Sequence, residues 1–185
     1  MHAWAVRYFV EQLTLQGKAG HPGLCVAQSF SKNFGLYGER VGALHLVMPG
    51  LLSAQGALSE LVSLARAEYS NPPRIGESIV ETILADQQLR AQWETDLDTM
   101  SSRIKATRRE LRRTLGENET PGDWSHIESQ IGLFSYTGLG KEMVTRLQKE
   151  FRVYVLPSGR ASIYGLNERI VEYVARAIGQ VVGSG

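Results

Sequence analysis

The chain has 185 residues, 43% hydrophobic and 21% charged, with 20 Lys plus Arg against 19 Asp plus Glu and a formal net charge of +1. This is globular composition. The length allows one domain, or about one and a half at ~100 to 150 residues each. The charge balance excludes an electrostatic nucleic-acid binder, since only Arg103 to Arg113 is locally basic. Cys25 is the single cysteine, so no intrachain disulfide forms; this fits a reducing compartment, and the thiol reads as a small core hydrophobe. The best candidate for a membrane span, Val41 to Leu52, is broken by His45, Pro49 and Gly50, and the chain is expected not to cross a membrane. Its start carries neither a secretory nor a transit pattern.

The opening residues read as an amphipathic helix with Trp4, Tyr8 and Leu15 on one side, taken up in mid-course. Gly17 to Gly23 supplies a turn, and Leu24 to Gln28 a short buried strand. After a polar, glycine-punctuated stretch, Val41 to Met48 is a second buried strand, closed by Pro49 and Gly50. Leu51 to Glu68 has helical spacing and is stopped by Asn71-Pro72-Pro73. Glu77 to Leu115 contains no Pro or Gly, and its apolar residues, Trp93 and Leu111 among them, fall at helical spacing with Gly116 as C-cap. One helix of roughly forty residues would reach about 60 Å, so a break is expected between Ala85 and Gln88, with the second segment running between two domains. The remainder reads as a small α/β unit: strand Gly132 to Tyr136, helix Gly140 to Glu150, strand Arg152 to Leu156, a Pro-Ser-Gly turn, and a closing helix from Asn167 to about Val181, N-capped by Asn167.

The chemistry concentrates between the first two strands, in Ser29-Phe30-Ser31-Lys32-Asn33-Phe34-Gly35-Leu36-Tyr37 and Glu39-Arg40-Val41-Gly42. The glycines do not fit dinucleotide spacing, and Lys32 precedes them where a P-loop lysine follows. What remains is an amine just past a strand, with serines before it and an arginine after it. Such a set suits an aldehyde cofactor that carries a phosphate. On spacing alone, a solvated lysine beside a turn is the commoner case.

The residue string itself resembles the cofactor-lysine segment of aspartate aminotransferases, class I enzymes of fold type I that use pyridoxal 5'-phosphate. The likeness continues through Arg66 and Ser70-Asn71-Pro72-Pro73, then Trp124 and His126, Gln130-Ile131-Gly132-Leu133-Phe134-Ser135-Tyr136-Thr137-Gly138-Leu139, and Tyr154-Val155-Leu156-Pro157-Ser158-Gly159-Arg160. It covers nearly the whole chain. After the two prolines the family continues with a small residue, a polar one and Gly-Ala; Arg74-Ile75-Gly76-Glu77 keeps only the glycine, a departure that bears on the subunit interface.

The resemblance implies an α/β fold made of the tail of a large-domain sheet, a long interdomain helix and a small α/β domain. The expected division is 1–85 for the truncated cofactor-binding domain and 86–185 for the helix and small domain. It implies Lys32 as Schiff-base lysine and general acid/base, Ser29 and Arg40 on the cofactor phosphate, and Arg160 on the substrate α-carboxylate with Phe134 beside it. Arg66 and Ser70 would meet the distal carboxylate of aspartate or glutamate across a homodimer interface. Taken alone, Arg66 reads equally well as a solvated helix arginine, Arg160 as a turn arginine and Phe134 as a core aromatic. The family's remaining cofactor contacts belong before residue 1, so the chain is expected to be the C-terminal part of a longer protein. Amino acid and 2-oxo acid substrates are implied, with no metal and no nucleic-acid partner. The compartment is cytoplasmic, or mitochondrial if a targeting segment precedes residue 1. An aromatic or broad-range aminotransferase of the same subgroup and an inactive structural fragment are the competing readings.

Overall fold

The structure is a computed structural model that describes residues 4–15 and 23–183, the side chains of 13–15 excepted. The expected turn of Gly17 to Gly23 therefore lies outside the described residues, Gly23 apart, as does the facing of Leu15. Contacts divide the chain into two compact units, one ending at Trp93 and the other beginning at Glu94.

The first unit opens with helix α1 (Trp4–Leu15), then strands β1 (Leu24–Ser29) and β2 (Gly42–Val47). The strands pair antiparallel from Leu24 opposite Val47 to Ser29 opposite Gly42. Gly42 is required there: a Cβ would stand 2.4 Å from the Gln28 carbonyl oxygen. Both strands occur as expected, but they are not buried. Cys25 is exposed, as are Ala27, Leu44 and His45. The reason is that β1 and β2 form a two-stranded ribbon, whose outer edges pair with no third strand among the described residues.

Helix α2 (Leu51–Glu68) follows and buries none of its residues. In helix α3 (Ile75–Ala85) only Gly76 and Val80 are buried. The expected break falls at Asp86, where α3 ends and α4 (Gln87–Glu117) starts. The Asp86 Oδ1 accepts the backbone N–H groups of Gln88 at 2.8 Å and Leu89 at 2.9 Å, so a carboxylate caps the orphan donors of the new helix.

The second unit holds nearly all of the apolar core. Leu115, Ile127, Leu147, Ile163 and Val181 are each at most 1% exposed. They come from α4, α5 (Ser125–Ser129), α6 (Lys141–Phe151), a 3-10 turn at Ile163–Gly165 and α7 (Val171–Gly183). Two short strands, β3 (Phe134–Tyr136) and β4 (Arg160–Ser162), pair antiparallel with Tyr136 opposite Arg160.

Three expectations are corrected here. Gly116 does not end α4: the Thr120 N–H bonds back to the Leu115 carbonyl and the Glu119 N–H to Gly116, a Schellman closure with Glu119 in the left-handed region (φ 50°). Arg152 to Leu156 is not a strand. Arg152 takes a left-handed conformation (φ 56°), and its N–H and that of Val153 both close on the Leu147 carbonyl, which binds this segment to the helix end. The strand lies instead at β4, beyond the turn. α7 starts at Val171 rather than at Asn167, which stands one turn before it: the Asn167 carbonyl accepts the Val171 N–H at 3.0 Å, and its Oδ1 accepts the Arg169 N–H at 3.0 Å.

Candidate active site

Ser29, Lys32 and Arg40 stand on one strand–loop–strand frame. The ribbon closes with the Phe30 N–H on the Val41 carbonyl at 3.1 Å, which places Ser29 and Arg40 at the same end. The Ser29 hydroxyl oxygen accepts the Ser31 N–H at 3.2 Å. Lys32 is exposed, and its Nζ lies 4.2 Å from the centre of the Tyr37 ring, a cation–π contact. Arg40 donates from its guanidinium to the Tyr37 carbonyl at 3.1 Å. Its own backbone is left-handed, with φ 52°, a conformation that favours glycine and costs an arginine about 1 to 2 kcal/mol. Tyr37 thus receives both cations, one on its ring and one on its carbonyl.

Trp93 and Gly76 brace this frame. Phe34 stacks on Trp93 at 4.6 Å and meets Phe30 edge-on at 5.3 Å, while the Trp93 indole N–H donates to the Asn33 carbonyl at 2.8 Å. Gly76 lies against the turn that carries Arg40: a Cβ there would stand 2.9 Å from Val41 Cγ1 and 3.0 Å from Glu39 Cβ. The one glycine kept after the two prolines therefore serves close packing. Arg66 occupies the last turn of α2, exposed, where a cation suits the helix dipole. Ser70, just beyond, is left-handed with φ 66°.

In the second unit the Arg160 guanidinium lies 4.6 Å above the Phe134 ring. Both residues are exposed, so Phe134 is not the plain core aromatic that its type allows. The Thr137 N–H and hydroxyl both donate to the Gly159 carbonyl, at 2.9 and 2.8 Å, fixing the turn before Arg160. None of Lys32, Arg40, Arg66 and Arg160 pairs with a carboxylate among the described residues, whereas Arg74, Arg112, Arg113, Arg146 and Arg176 all do.

The structure thus brings Ser29, Lys32 and Arg40 onto one loop frame and sets Arg160 against Phe134, while Arg66 and Ser70 are neighbours along the chain at the end of α2. This chain by itself does not enclose Lys32, whose amine stands on an open surface. Two open surface hollows lie elsewhere: one of about 460 Å³ along α3, lined by Ile75, Ile79 and Ile83, and one of about 610 Å³ beside Arg109 and Arg112 on α4. Among the described residues no group of three His, Cys, Asp or Glu is placed to hold a metal ion, and no helix is long and apolar enough to cross a membrane. Sequence reasoning missed the contributions of Trp93, Tyr37 and Gly76. Trp93 was visible as one apolar residue in a helical pattern, and Gly76 as the residue kept in a departing segment.

This mixed α/β fold, with an amine, a hydroxyl and an arginine on one ribbon loop, is that of the C-terminal portion of a fold type I aminotransferase. The pattern of the family described as aminotransferase class I and II matches residues 2–178, and the chain belongs to that family. The cytoplasmic aspartate aminotransferase of Saccharomyces cerevisiae is 46% identical over 184 residues, covering 97% of this chain and 43% of its own length. Its solved structure superposes with a TM-score of 0.85. An L-tyrosine:2-oxoglutarate aminotransferase of Aspergillus ustus is 46% identical over 177 residues, 95% of this chain and 33% of the relative. The aromatic-amino-acid aminotransferase of Burkholderia pseudomallei, solved covalently bound to pyridoxal phosphate, has a TM-score of 0.88 at 39% identity, over 96% of this chain and 44% of that one. The chain spans less than half the length of these relatives.

Proposed function

We propose that this chain carries the lysine-bearing part of an aspartate aminotransferase, which moves the amino group of L-aspartate to 2-oxoglutarate and yields oxaloacetate and L-glutamate in two half-reactions. The observation that supports this most is the Ser29, Lys32 and Arg40 loop, braced by Trp93 and Gly76. Its donor set fits pyridoxal 5'-phosphate: a primary amine for the aldehyde, and a hydroxyl with an uncommitted guanidinium face for the phosphate. When bound, the cofactor supplies an electron-accepting ring that spreads the charge left at the substrate Cα.

The chain's own residues do the rest. Lys32 holds the cofactor and, once released from it, carries a proton to and from the substrate Cα, since the freed amine stays beside that carbon. Ser29 and Arg40 anchor the phosphate. Arg160 meets the substrate α-carboxylate as a planar fork, with Phe134 beneath it. Arg66 and Ser70 receive the distal carboxylate and would serve a partner subunit of a homodimer. The proposed division is a cofactor-binding domain over 1–85 and a helix with small domain over 86–185. The yeast aspartate aminotransferase named above is cytoplasmic, and we assign this chain to the same compartment.

A second reading, a broad-range aminotransferase, is favoured by the likeness to the tyrosine and aromatic enzymes. The test is amino transfer to 2-oxoglutarate in the protein that contains this chain, with aspartate and phenylalanine compared as donors. Aspartate is expected to be strongly preferred, with activity lost in Lys32→Ala. Equal rates with both donors favour the broad-range reading. Transfer from neither donor contradicts both readings and leaves the inactive structural fragment.

A further inference from the structure

Arg108 is 2% exposed, yet among the described residues its hydrogen bonds go to no carboxylate. Its guanidinium is spent on neutral acceptors gathered from one segment. One terminal nitrogen donates to the Ile127 carbonyl at 2.6 Å and to the Ser135 hydroxyl at 3.4 Å; the other donates to the carbonyls of Gly132 at 3.1 Å and Phe134 at 2.6 Å. The Nε is buried without a partner. An unpaired cation is costly to bury, and a core position this near Leu111 and Leu115 would be filled more favourably by an apolar residue. Burial also holds its pKa below the usual arginine value. The cation therefore has a role other than ordinary core filling.

What it grips indicates the role. Three of its four acceptors, Gly132, Phe134 and Ser135, lie in the segment that delivers Phe134. The Ser135 hydroxyl passes the network on, donating to Gln130 Oε1 at 2.8 Å, and that same oxygen accepts the Tyr136 N–H at 2.9 Å. The Gln130 side-chain amide returns a bond to the Tyr136 carbonyl at 3.2 Å. Gln130 thus stands in for a neighbouring strand on the open side of β3, while β4 occupies the other side with Arg160 opposite Tyr136. The three-residue strand under Phe134 and Arg160 is too short to hold its register by ladder bonds alone. Along its open edge it is held by the guanidinium at the Phe134 carbonyl and by the Gln130 amide at Tyr136.

We infer that Arg108, relayed through Ser135 and Gln130, is a positioning residue that fixes β3 so that the Phe134 ring seats the Arg160 guanidinium. The inference rests on the proposed carboxylate role of Arg160 for its functional meaning, but not for its geometry. Ring-current shifts read the geometry directly. The Arg160 side-chain protons above the Phe134 face should resonate well upfield of their free-chain positions in the intact protein, and Phe134→Leu should remove that displacement.

In Arg108→Lys, which keeps the charge but loses the fork, most of the displacement is expected to vanish while the methyl signals of Leu147 and Val181 stay dispersed. Full retention of the displacement in such a folded variant overturns the inference. Where Arg108→Lys lacks native methyl dispersion, Gln130→Ala decides. A displacement reduced by half or more supports the relay, and an unchanged one refutes it. Titration with succinate, followed at the Arg160 Nε–H signal, tests the carboxylate role separately. No response there removes the functional meaning of the contact while leaving the Arg108 result intact.

Discussion

The Trp93 indole N–H donates to the backbone carbonyl of Asn33 at 2.8 Å, across sixty positions of chain, while the same indole stacks on Phe34 at 4.6 Å. The residue after Lys32 is therefore fixed by a helix remote in sequence. A loop fixed in this way orders the Lys32 segment in advance of a ligand, which lowers the entropic cost of binding under the proposed cofactor role.

Trp93→Phe keeps the ring but removes the donor. It should lower stability by about 1 kcal/mol, the usual net worth of one hydrogen bond. Amide hydrogen exchange should accelerate at Phe34, whose N–H bonds to the Phe30 carbonyl at 3.3 Å, more than at residues of the second unit. Uniform acceleration across both units would assign Trp93 a general rather than a local role.

Arg40 and Gly76 make opposite predictions about the same turn. Arg40→Gly relieves a left-handed arginine, so the melting temperature should hold or rise while affinity for pyridoxal phosphate falls at least tenfold. Gly76→Ala drives a methyl into Val41 and Glu39, and overpacking of this kind costs about 1 to 3 kcal/mol. Its cofactor affinity should fall together with its stability. Differential scanning calorimetry and equilibrium titration measure the two quantities, and a fall in both for Arg40→Gly would sink the proposed division of labour.

The distribution of core predicts unequal autonomy. Among the described residues, Val80 is the one buried hydrophobic residue of the first unit, whereas Leu51 and Leu52 of α2 are 73% and 83% exposed. A fragment of residues 86–185, which keeps the Asp86 cap, should unfold cooperatively in urea. A fragment of residues 1–85 should bind hydrophobic dyes and lack a sharp transition, since large exposed apolar surface calls for a partner. Cooperative unfolding confined to 1–85 would contradict this.

Asp123 supplies a pH signature. Its carboxylate accepts the Ser125 N–H at 2.8 Å and the Ser125 hydroxyl at 2.9 Å, and these bonds, with weaker help from His126 and Arg112, hold its pKa below the ordinary value. A depressed folded-state pKa stabilises fully above the unfolded value, and that stability fades as pH falls toward the folded one. The urea midpoint of the 86–185 fragment should therefore fall more steeply between about pH 5 and pH 3 than that of Asp123→Asn. Glu110 and Glu150, depressed in the same direction by Arg113 and Arg146, contribute alike to both proteins. Identical slopes would remove Asp123 from the account.

The helices were legible because apolar spacing is a local signal, and the break at Asp86 because an unbroken helix of roughly forty residues would reach about 60 Å. The loop of Lys32 was legible because its residues are an uninterrupted string. Trp93 and Arg108 were not, because their meaning is non-local: each looks like one more residue of a long amphipathic helix until its hydrogen-bond acceptors, far away in sequence, come to meet it. Of the run from Arg103 to Arg113 only Arg108 among the arginines is buried, a distinction that spacing cannot draw. The segment 152–156 looked like a strand because Val153, Tyr154 and Val155 favour one; the left-handed Arg152 overrode that propensity by binding the chain to the end of α6. Cys25 looked buried because its neighbours are apolar, but a two-stranded ribbon does not cover both faces.

The central claim is that Lys32 is the amine that takes the cofactor, and reductive trapping tests it most directly. The chain has five lysines, Lys18, Lys32, Lys105, Lys141 and Lys149. After incubation with stoichiometric pyridoxal phosphate and borohydride reduction, peptide mapping should find a single dominant adduct at Lys32, abolished as the preferred site in Arg40→Gly. Adducts spread evenly over the lysines, unchanged by loss of Arg40, would contradict the account.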